Sequence, residues 1–454
     1  MATTTTASAS GQKNSYATSI IIIGALFFIF GFVTWLNGTL IPFLKIACEL
    51  TNFQAYFVTF AFYISYFFLA IPSSWILHRT GFKNGMALGL LVMAVGSLVF
   101  IPAAETRTFG LFLTGLFIQG AGLSLLQTAS NPYIVILGPI ESAAKRISIM
   151  GICNKTAGIL SPLILGAIVL KNVDSIKDTV ATTTDSVVKA GLLNELAGRV
   201  IVPYIIIAIV LAALALWVKY SPLQNIDTDQ EEQHVNDATH GKTSIFQFPY
   251  FVMGIITLFL YAGCEVIAGD TVALYAMSTG IATNKAIVFT SYTLFSMVVG
   301  YLIGIALIPK TISQSRALGI SAVIGFLLAM TAIMIKGTAS VYFISLLGFA
   351  NAIMWPAIWP LALGGLGKFT KIASALLVMC IAGCAVLPLL YGKIADLLGP
   401  GTVENFQQLS AEAQRHLVFS GRHTAYWIVV PCYIWIAFYA FKGHKVGRPA
   451  EVGD

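Results

Sequence analysis

The sequence has little charge. Of its 454 residues only 10% are Asp, Glu, Lys or Arg, whereas 57% are hydrophobic and the mean hydropathy is +0.84. A water-soluble chain would carry roughly 25% charged residues, so the composition excludes an ordinary soluble domain. It favours a single membrane domain, and the length leaves room for about twelve helices with short connections.

Acidic residues are fewer than basic ones. The formal net charge is +7 and the isoelectric point is about 9.0. The cations are scattered through the loops between apolar runs, so they act as signals of membrane topology. They form no cluster that would suggest nucleic acid, and we expect no nucleic-acid partner.

The cysteines lack the spacing of a disulfide framework or a zinc site. All six lie in or beside apolar runs: Cys48, Cys153, Cys264, Cys380, Cys384 and Cys432. We therefore expect no metal site. The start, "MATTTTASASGQK", lacks the basic-then-apolar order of a cleaved signal peptide, and residues 1–17 are predicted to be a disordered tail.

Apolar runs long enough to span a membrane occur in two sets of six. The first set lies at about 18–46, 53–78, 84–104, 109–137, 147–170 and 200–220, and the second at about 249–278, 285–308, 317–336, 340–366, 372–398 and 423–442. We predict an all-α membrane protein with twelve transmembrane helices. Its parts are an N-terminal six-helix half (18–220), a polar linker (221–248), a C-terminal six-helix half (249–442) and a tail (443–454).

The two halves resemble each other. "GFVTWLNGT" at 31–39 aligns with "GCEVIAGDT" at 263–271, and "RISIMGICNKTAGILSP" at 146–162 with "KIASALLVMCIAGCAVLP" at 371–388. Pseudo-symmetric six-helix halves are the architecture of the major facilitator fold, in which the binding site lies between the halves near mid-membrane. Apolar periodicity alone also permits other twelve-helix transporters.

Basic residues indicate which side the termini face. An even number of spans puts both termini on one side, and alternate loops on that side carry Arg79, Lys83, Lys145, Arg146, Lys219, Lys242, Lys310, Arg316, Lys368 and Lys371. We therefore place the termini and the linker in the cytoplasm. Four charged residues at the outer helix ends are expected to be mostly solvated: Lys45, Glu49, Lys393 and Asp396.

Amides and indoles recur inside the predicted helices. At 1.5 Å per residue, several of them lie roughly 12–20 Å into a ~30 Å hydrocarbon core. They offer donors, acceptors and stacking faces, which suits a neutral polyol. The candidate substrate-binding residues are Asn37, Gln127, Asn131, Asn154, Lys155, Trp355 and Trp359. Bonding between helices is the alternative for the amides, and packing is the alternative for the indoles.

Three charged side chains lie well inside predicted spans, away from their ends. Lys155 is too deep to reach the interface easily, so we expect a functional role, the alternative being a buried pair with a carboxylate on another helix. Glu265 and Asp270 are the candidates for binding a coupling ion. Repulsion between two nearby carboxylates favours a proton on one of them, and hard oxygen ligands would also hold sodium. Alternatively, Asp270 caps a helix break.

Several long motifs carry a resemblance to a known family. "FGFVTWLNGTLIPFLK", "ELTNFQAYFVTFAFYISYFFLAIPSSWIL", "FIPAAE" and "LLQTASNPYIVILGP" together resemble the fucose–galactose–glucose:proton symporters of the major facilitator superfamily. The match covers most of the N-terminal half and is weaker in the C-terminal half. The resemblance implies a bacterial inner-membrane importer of a hexose, or of a close relative, that works by alternating access.

The sequence departs from that family at two acidic positions. The fucose symporter has a carboxylate at the position of Gly38 and a glutamate at that of Gln127, and those acids handle sugar and proton. Alignment of the halves sets Asp270 over Gly38, so the acid is predicted to have moved to the other half. Lys155 stands where a small polar residue is usual, and Glu265 resembles the glutamate of glucose-type members.

We predict a secondary active importer of a hexose of the glucose, galactose or fucose type, or of an amino sugar such as N-acetylglucosamine. Coupling would use a proton or sodium gradient, with no other cofactor. An uncoupled sugar facilitator is the alternative. A membrane-embedded enzyme is disfavoured, because the loops at 171–199 and 221–248 hold no catalytic acid pair or metal ligands. The expected partners are the sugar and the lipid bilayer, and a monomer in the bacterial cytoplasmic membrane is expected.

Overall fold

A computed structural model describes the chain over residues 6–137, 143–223, 242–308, 311–366 and 369–448. Every regular element in these ranges is a helix. The apolar composition accounts for this, because inside a bilayer each backbone N–H and C=O needs a partner within the chain, and a helix supplies it locally. The prediction of an all-α protein is confirmed.

The described helices before the linker are, in chain order, α1 (Thr6–Trp35), α2 (Asn37–Ala47), α3 (Asn52–Ala55), α4 (Phe57–Leu98), α5 (Phe100–Glu105), α6 (Phe109–Ile136), α7 (Ala143–Val169), α8 (Val173–Thr182), α9 (Ser186–Gly198) and α10 (Ile201–Tyr220). Those after it are α11 (Pro249–Val266), α12 (Val272–Ser278), α13 (Thr283–Ala286), α14 (Val288–Leu307), α15 (Gln314–Met334), α16 (Thr338–Asn351), α17 (Met354–Leu363), α18 (Thr370–Met379), α19 (Gly383–Leu397), α20 (Ala411–Ala425) and α21 (Val429–Phe441). A π-helical segment, Ile267–Thr271, joins α11 to α12, and a 3-10 turn, Cys380–Ala382, joins α18 to α19.

Eleven helical segments among the described residues are long and apolar enough to cross a membrane. One of them, Phe57–Glu105, has 49 residues and contains α4, whose 42 residues would extend about 63 Å if straight, twice the ~30 Å of a hydrocarbon core. The helix is broken at Gly81, where φ is 76° and ψ is 166°. Only glycine adopts this conformation without strain, so the break is written into the sequence.

The structure differs from the sequence-based expectation in two places. The predicted disordered tail, 1–17, is helical from Thr6, because extending an existing helix adds one hydrogen bond per residue. The segment 171–199, taken as a loop, contains α8 and α9, and the side chain of Asp185 caps α9 by accepting from the N–H groups of Val187 and Val188. Most of the predicted linker, 224–241, lies outside the described residues.

Close packing of α1 against α7 positions the indole of Trp35. A side chain at Gly31 would bring its Cβ within 1.9 Å of the Asn154 carbonyl oxygen, so the two helices approach more closely there than any other residue permits. α1 ends four residues later at Trp35, which is 2% exposed. The indole of Trp35 is thereby held against α7 beside Asn154 and Lys155.

Candidate functional site

An ion pair lies at the centre of the candidate site. The Nζ of Lys155 on α7 is 2.5 Å from Oε1 of Glu265 on α11, and the two side chains are 9% and 13% exposed. The pair connects residues 110 positions apart in the chain. The alternative considered for Lys155, a pair with a carboxylate on another helix, is therefore present in the structure. Its predicted part in sugar binding stays a prediction.

Aromatic and amide groups hold both members of the pair in place. Lys155 Nζ lies 4.5 Å from the centroid of the Trp35 ring, a cation–π contact. The Tyr261 hydroxyl donates to Glu265 Oε2 at 2.7 Å, so both carboxylate oxygens have a partner. Trp35 Nε1 in turn donates to Asn154 Oδ1 at 3.4 Å. We call these five residues, Trp35, Asn154, Lys155, Tyr261 and Glu265, the central cluster.

Two tryptophans extend the central cluster on one side. Trp355 and Trp359 are four residues apart on α17, which puts them on one face of the helix. Their ring centroids are 5.3 Å apart, and Trp355 lies 6.4 Å from the Tyr261 ring. Both indoles are partly exposed, so they keep faces on which a sugar would stack. The structure thus brings Asn154, Lys155, Glu265, Trp355 and Trp359 to one region.

Gln127 and Asn131 both lie on α6, four residues or about one helical turn apart. Both are partly exposed, and neither side-chain amide has a hydrogen-bond partner within the described part of the chain. The alternative of bonding between helices thus has no support among these residues. Their donors and acceptors remain open to water or a ligand. The structure gives no direct contact between them and the central cluster.

Asn37 is placed differently from the other predicted substrate-binding residues. It is the first residue of α2, fully buried, and neither atom of its side-chain amide has a partner among the described residues. Burying an unpaired amide is costly, so such a group demands an explanation. In this conformation protein atoms enclose its side-chain amide, so a role in sugar binding would require the surrounding helices to separate.

Asp270 is fully buried in the π-helical segment. Thr59 Oγ1 on α4 donates to its Oδ2 at 3.4 Å, and Oδ1 has no partner among the described residues. Within the same segment, the Gly269 carbonyl accepts from Thr290 at 2.8 Å. Asp270 therefore does not cap a helix end. It differs from Glu265 in having no cation among its described contacts.

A second polar network lies where α2, α3, α19 and α20 meet. Asn52 Nδ2 donates to Asp396 Oδ1 at 2.5 Å, and the Phe53 N–H donates to Asp396 Oδ2 at 2.8 Å. The Asn52 Oδ1 accepts from Lys45 Nζ at 2.5 Å and from Arg422 Nη2. We call Lys45, Asn52, Asp396 and Arg422 the end network.

The end network corrects the expectation that Lys45 and Asp396 are mostly solvated. Both are bonded to Asn52, which is 3% exposed, and Arg422 is only 4% exposed. The reason is tertiary: α3 and α20 cover the helix ends from which Lys45 and Asp396 project. The signal in the sequence is Arg422, a cation directly before the last apolar run.

The chain matches a family model and several characterised proteins. The model of the Major Facilitator Superfamily matches residues 23–388. The glucose/galactose transporter of Brucella abortus is 31% identical over 439 residues, 96% of this chain and 96% of that protein. The L-fucose-proton symporter of Escherichia coli is 28% identical over 400 residues, 86% of this chain and 89% of that one. The resemblance predicted from the motifs is confirmed.

Solved structures of transporters are similar to this chain in fold. The crystal structure of the transporter FucP in the outward conformation matches with a TM-score of 0.68 and 25% identity, covering 94% of this chain and 98% of that one. A bacterial homolog of the human lysosomal transporter Spinster, inward-facing and unoccupied, matches with a TM-score of 0.66 at 15% identity, covering 96% and 99%, which speaks for the fold alone. All these proteins are transporters, so the enzyme alternative has no support.

Proposed function

The chain belongs to the Major Facilitator Superfamily, and from that premise we propose that it is a secondary active importer of a hexose, or of an amino sugar such as N-acetylglucosamine. The observation that carries the proposal is the central cluster. Amides, indoles and a paired charge are gathered inside the membrane-spanning region, where polar groups are costly unless they serve a ligand.

The architecture we propose has twelve spans in two pseudo-symmetric halves. Dividing the segment Phe57–Glu105 at Gly81 turns the eleven candidate segments into twelve, six on each side of the linker. The ion pair then joins the fifth span to the seventh, and so bridges the halves. An even number of spans puts both termini on one side, and the basic loops favour the cytoplasm of a bacterial cell.

In this orientation the end network closes the outer side. Lys45 and Asn52 lie between the first and second spans, so they face outward when the N-terminus is cytoplasmic. The bonds that Asn52 makes to Asp396 and Arg422 join the two proposed halves. Gln127, by contrast, is partly exposed. We assign the structure to an inward-open state of an alternating-access cycle.

Asp270 is the residue we propose to bind the coupling ion. Glu265 already has an ammonium at 2.5 Å, whereas Asp270 is buried without a cation. An isolated carboxylate in such surroundings favours a proton or a metal cation over bare charge. The bond from Thr59 ties Asp270 to the other proposed half, so its occupancy would bias the conformations, as coupling requires. Relatives named as proton symporters favour the proton over sodium and over an uncoupled facilitator.

Uptake by purified protein in lipid vesicles tests the function. A panel of glucose, galactose, fucose and N-acetylglucosamine is offered under imposed proton or sodium gradients, with protein-free vesicles as the control. We expect one or more sugars to accumulate above the outside concentration when the proton gradient is inward, and the accumulation to collapse with a protonophore. Uptake that only equilibrates would favour the facilitator, and no uptake of any sugar would refute the proposal.

A further inference from the structure

The ion pair in the central cluster has no net charge. Lys155 and Glu265 are 2.5 Å apart, and their other described contacts are the uncharged Trp35 ring and Tyr261 hydroxyl. Both Glu265 oxygens are engaged, Oε1 by the ammonium and Oε2 by the phenol. A molecule entering this space therefore meets both signs of charge, each already neutralised by the other.

The side chains that remain open around the pair are uncharged. Trp355 and Trp359 are partly exposed, and so is Asn154, whose amide accepts from Trp35 Nε1 and donates to the Phe27 carbonyl, both at 3.4 Å. Amides bond hydroxyls in either direction and indoles cover C–H surfaces, but none of them balances a full charge. The groups available to an incoming molecule are thus matched to an uncharged polyol.

We propose that the Lys155–Glu265 pair determines the charge selectivity of the site: closed on itself, it admits uncharged sugars and rejects their acidic and cationic derivatives. This inference rests on the proposed function and concerns the substrate class within it. Sugar hydroxyls can donate to Glu265 and accept from Lys155 without changing the charge of the site. A sugar carboxylate beside Lys155 also meets Glu265, and a sugar ammonium beside Glu265 also meets Lys155.

A charged sugar derivative therefore brings an unbalanced charge next to an ion pair that is about nine-tenths buried. Desolvating that charge is not offset, because the attraction of one partner is cancelled by the repulsion of the other. Removing one member of the pair should reverse the preference for uncharged over charged sugars. Glu265→Gln leaves an unpaired ammonium that favours an anionic sugar, and Lys155→Met leaves an unpaired carboxylate that favours a cationic one.

The experiment compares binding of glucose, glucuronate, N-acetylglucosamine and glucosamine at neutral pH. Titration calorimetry of the purified protein gives two ratios of dissociation constants, glucuronate to glucose and glucosamine to N-acetylglucosamine. We expect the unmodified protein to bind each charged sugar about tenfold or more weakly than its uncharged counterpart. Glu265→Gln should lower the first ratio by about tenfold, and Lys155→Met should lower the second by as much.

Two variants serve as matched controls. The double variant Lys155→Met/Glu265→Gln has no net charge and should again prefer uncharged sugars. Lys155→Arg keeps the charge of the pair, so both of its ratios should stay within about twofold of those of the unmodified protein. Glutamine at 265 keeps an acceptor for the Tyr261 hydroxyl, which limits the change to charge. If a single variant is too unstable to purify, the rise in its unfolding temperature on adding each sugar to solubilised membranes gives the same ranking.

The outcomes separate this inference from the proposed function. Equal binding of charged and uncharged sugars by the unmodified protein overturns the inference alone, as do single variants whose ratios stay within about twofold of the unmodified protein. A double variant that keeps either altered preference also overturns it. Failure of the unmodified protein to bind any sugar, including galactose and fucose, overturns the proposed function and this inference with it.

Discussion

The central cluster and the end network use similar side chains in different ways. In the end network, Asn52 engages both atoms of its amide and Asp396 both oxygens of its carboxylate, all with protein partners. Among the other predicted substrate-binding residues, the amides of Gln127 and Asn131 on α6 are partly exposed and have no partner among the described residues. Asn52 and Asp396 are thus fully engaged by protein groups, although the Nε of Arg422 beside them has no partner among the described residues, whereas the open amides of Gln127 and Asn131 would be completed only by water or a ligand.

The difference indicates what each region does. A network whose bonds all join protein groups stabilises one arrangement of the helices and is lost when they separate. Open amides and indoles contribute little until a ligand reaches them. The comparison thus assigns closure to the end network and recognition to the centre. Four substitutions test this division, in order of decreasing expected effect.

Lys155→Met should have the largest effect, because it leaves Glu265 as an uncompensated, largely buried charge. Removing one partner of a buried pair costs about 3–5 kcal/mol, and sugar uptake should be abolished. Unfolding of the solubilised protein and uptake in vesicles are measured together. The double variant Lys155→Met/Glu265→Gln should recover most of the lost stability. A double variant no more stable than the single one would mean that the ion pair is not the cause.

Asp270→Asn should abolish accumulation and spare exchange. The amide retains the shape of the carboxyl and an acceptor for the Thr59 hydroxyl but carries no exchangeable ion. Uptake against a gradient is compared with exchange of labelled sugar across membranes equilibrated with the same sugar. Glu265→Gln is the paired variant. If Asp270→Asn still concentrates sugar and Glu265→Gln does not, the coupling role passes to Glu265.

Asp396→Asn should loosen the outer closure without touching the centre. Hydrogen bonds to a charged group contribute about 1.5–3 kcal/mol, so the inward-open state should lose population by roughly tenfold or more. A cysteine in place of the fully buried Thr59 reports opening, through its rate of labelling by a membrane-impermeant maleimide added outside. Glu404→Gln is the matched control, because it removes the same charge from an exposed position that follows the same helix. Equal labelling rates in both variants would show that Asp396 does not contribute to closing the outer side.

Gln127→Ala should have the smallest effect, a loss of about 1–3 kcal/mol in sugar binding with folding unchanged. The reason is that its amide has no described protein partner, so only the ligand loses a bond. Binding is measured by calorimetry on the purified variant, with Thr128→Ala as a neighbour whose hydroxyl bonds the Ser124 carbonyl within α6. Unchanged affinity in the Gln127 variant would remove this residue from the site.

Much of the candidate site could be predicted because polarity inside an apolar run is visible in one dimension. Asn154, Lys155, Glu265 and the two tryptophans of α17 stand out against their neighbours, and the helix rise places all of them except Glu265 near one depth. The gap between the predicted second and third spans, at 79–83, coincides with the break of α4 at Gly81.

Other features were out of reach of such reasoning. The helical content of 171–199 was missed because α8 and α9 are short and lack an apolar run, and helices of that kind are stabilised chiefly by tertiary packing. The end network was missed because Lys45 and Asp396 lie at helix ends, where a charged residue is ordinarily solvated. Their partial burial depends on α3 and α20, which meet at these helix ends only in the folded structure.

The sequence by itself determined the class of the protein, the course of its spans and the polar residues inside them, because each depends on local composition and helix geometry. Only the tertiary structure decided which residues these polar side chains contact. Lys155 meets Glu265 across 110 positions, and Asn52 meets Asp396 across 344. The helical period fixes the depth and face of a side chain, but which faces meet depends on how the helices rotate and approach, as glycine permits at Gly31. That packing determined which charges are paired, and it left Asp270 buried without a cation among the described residues.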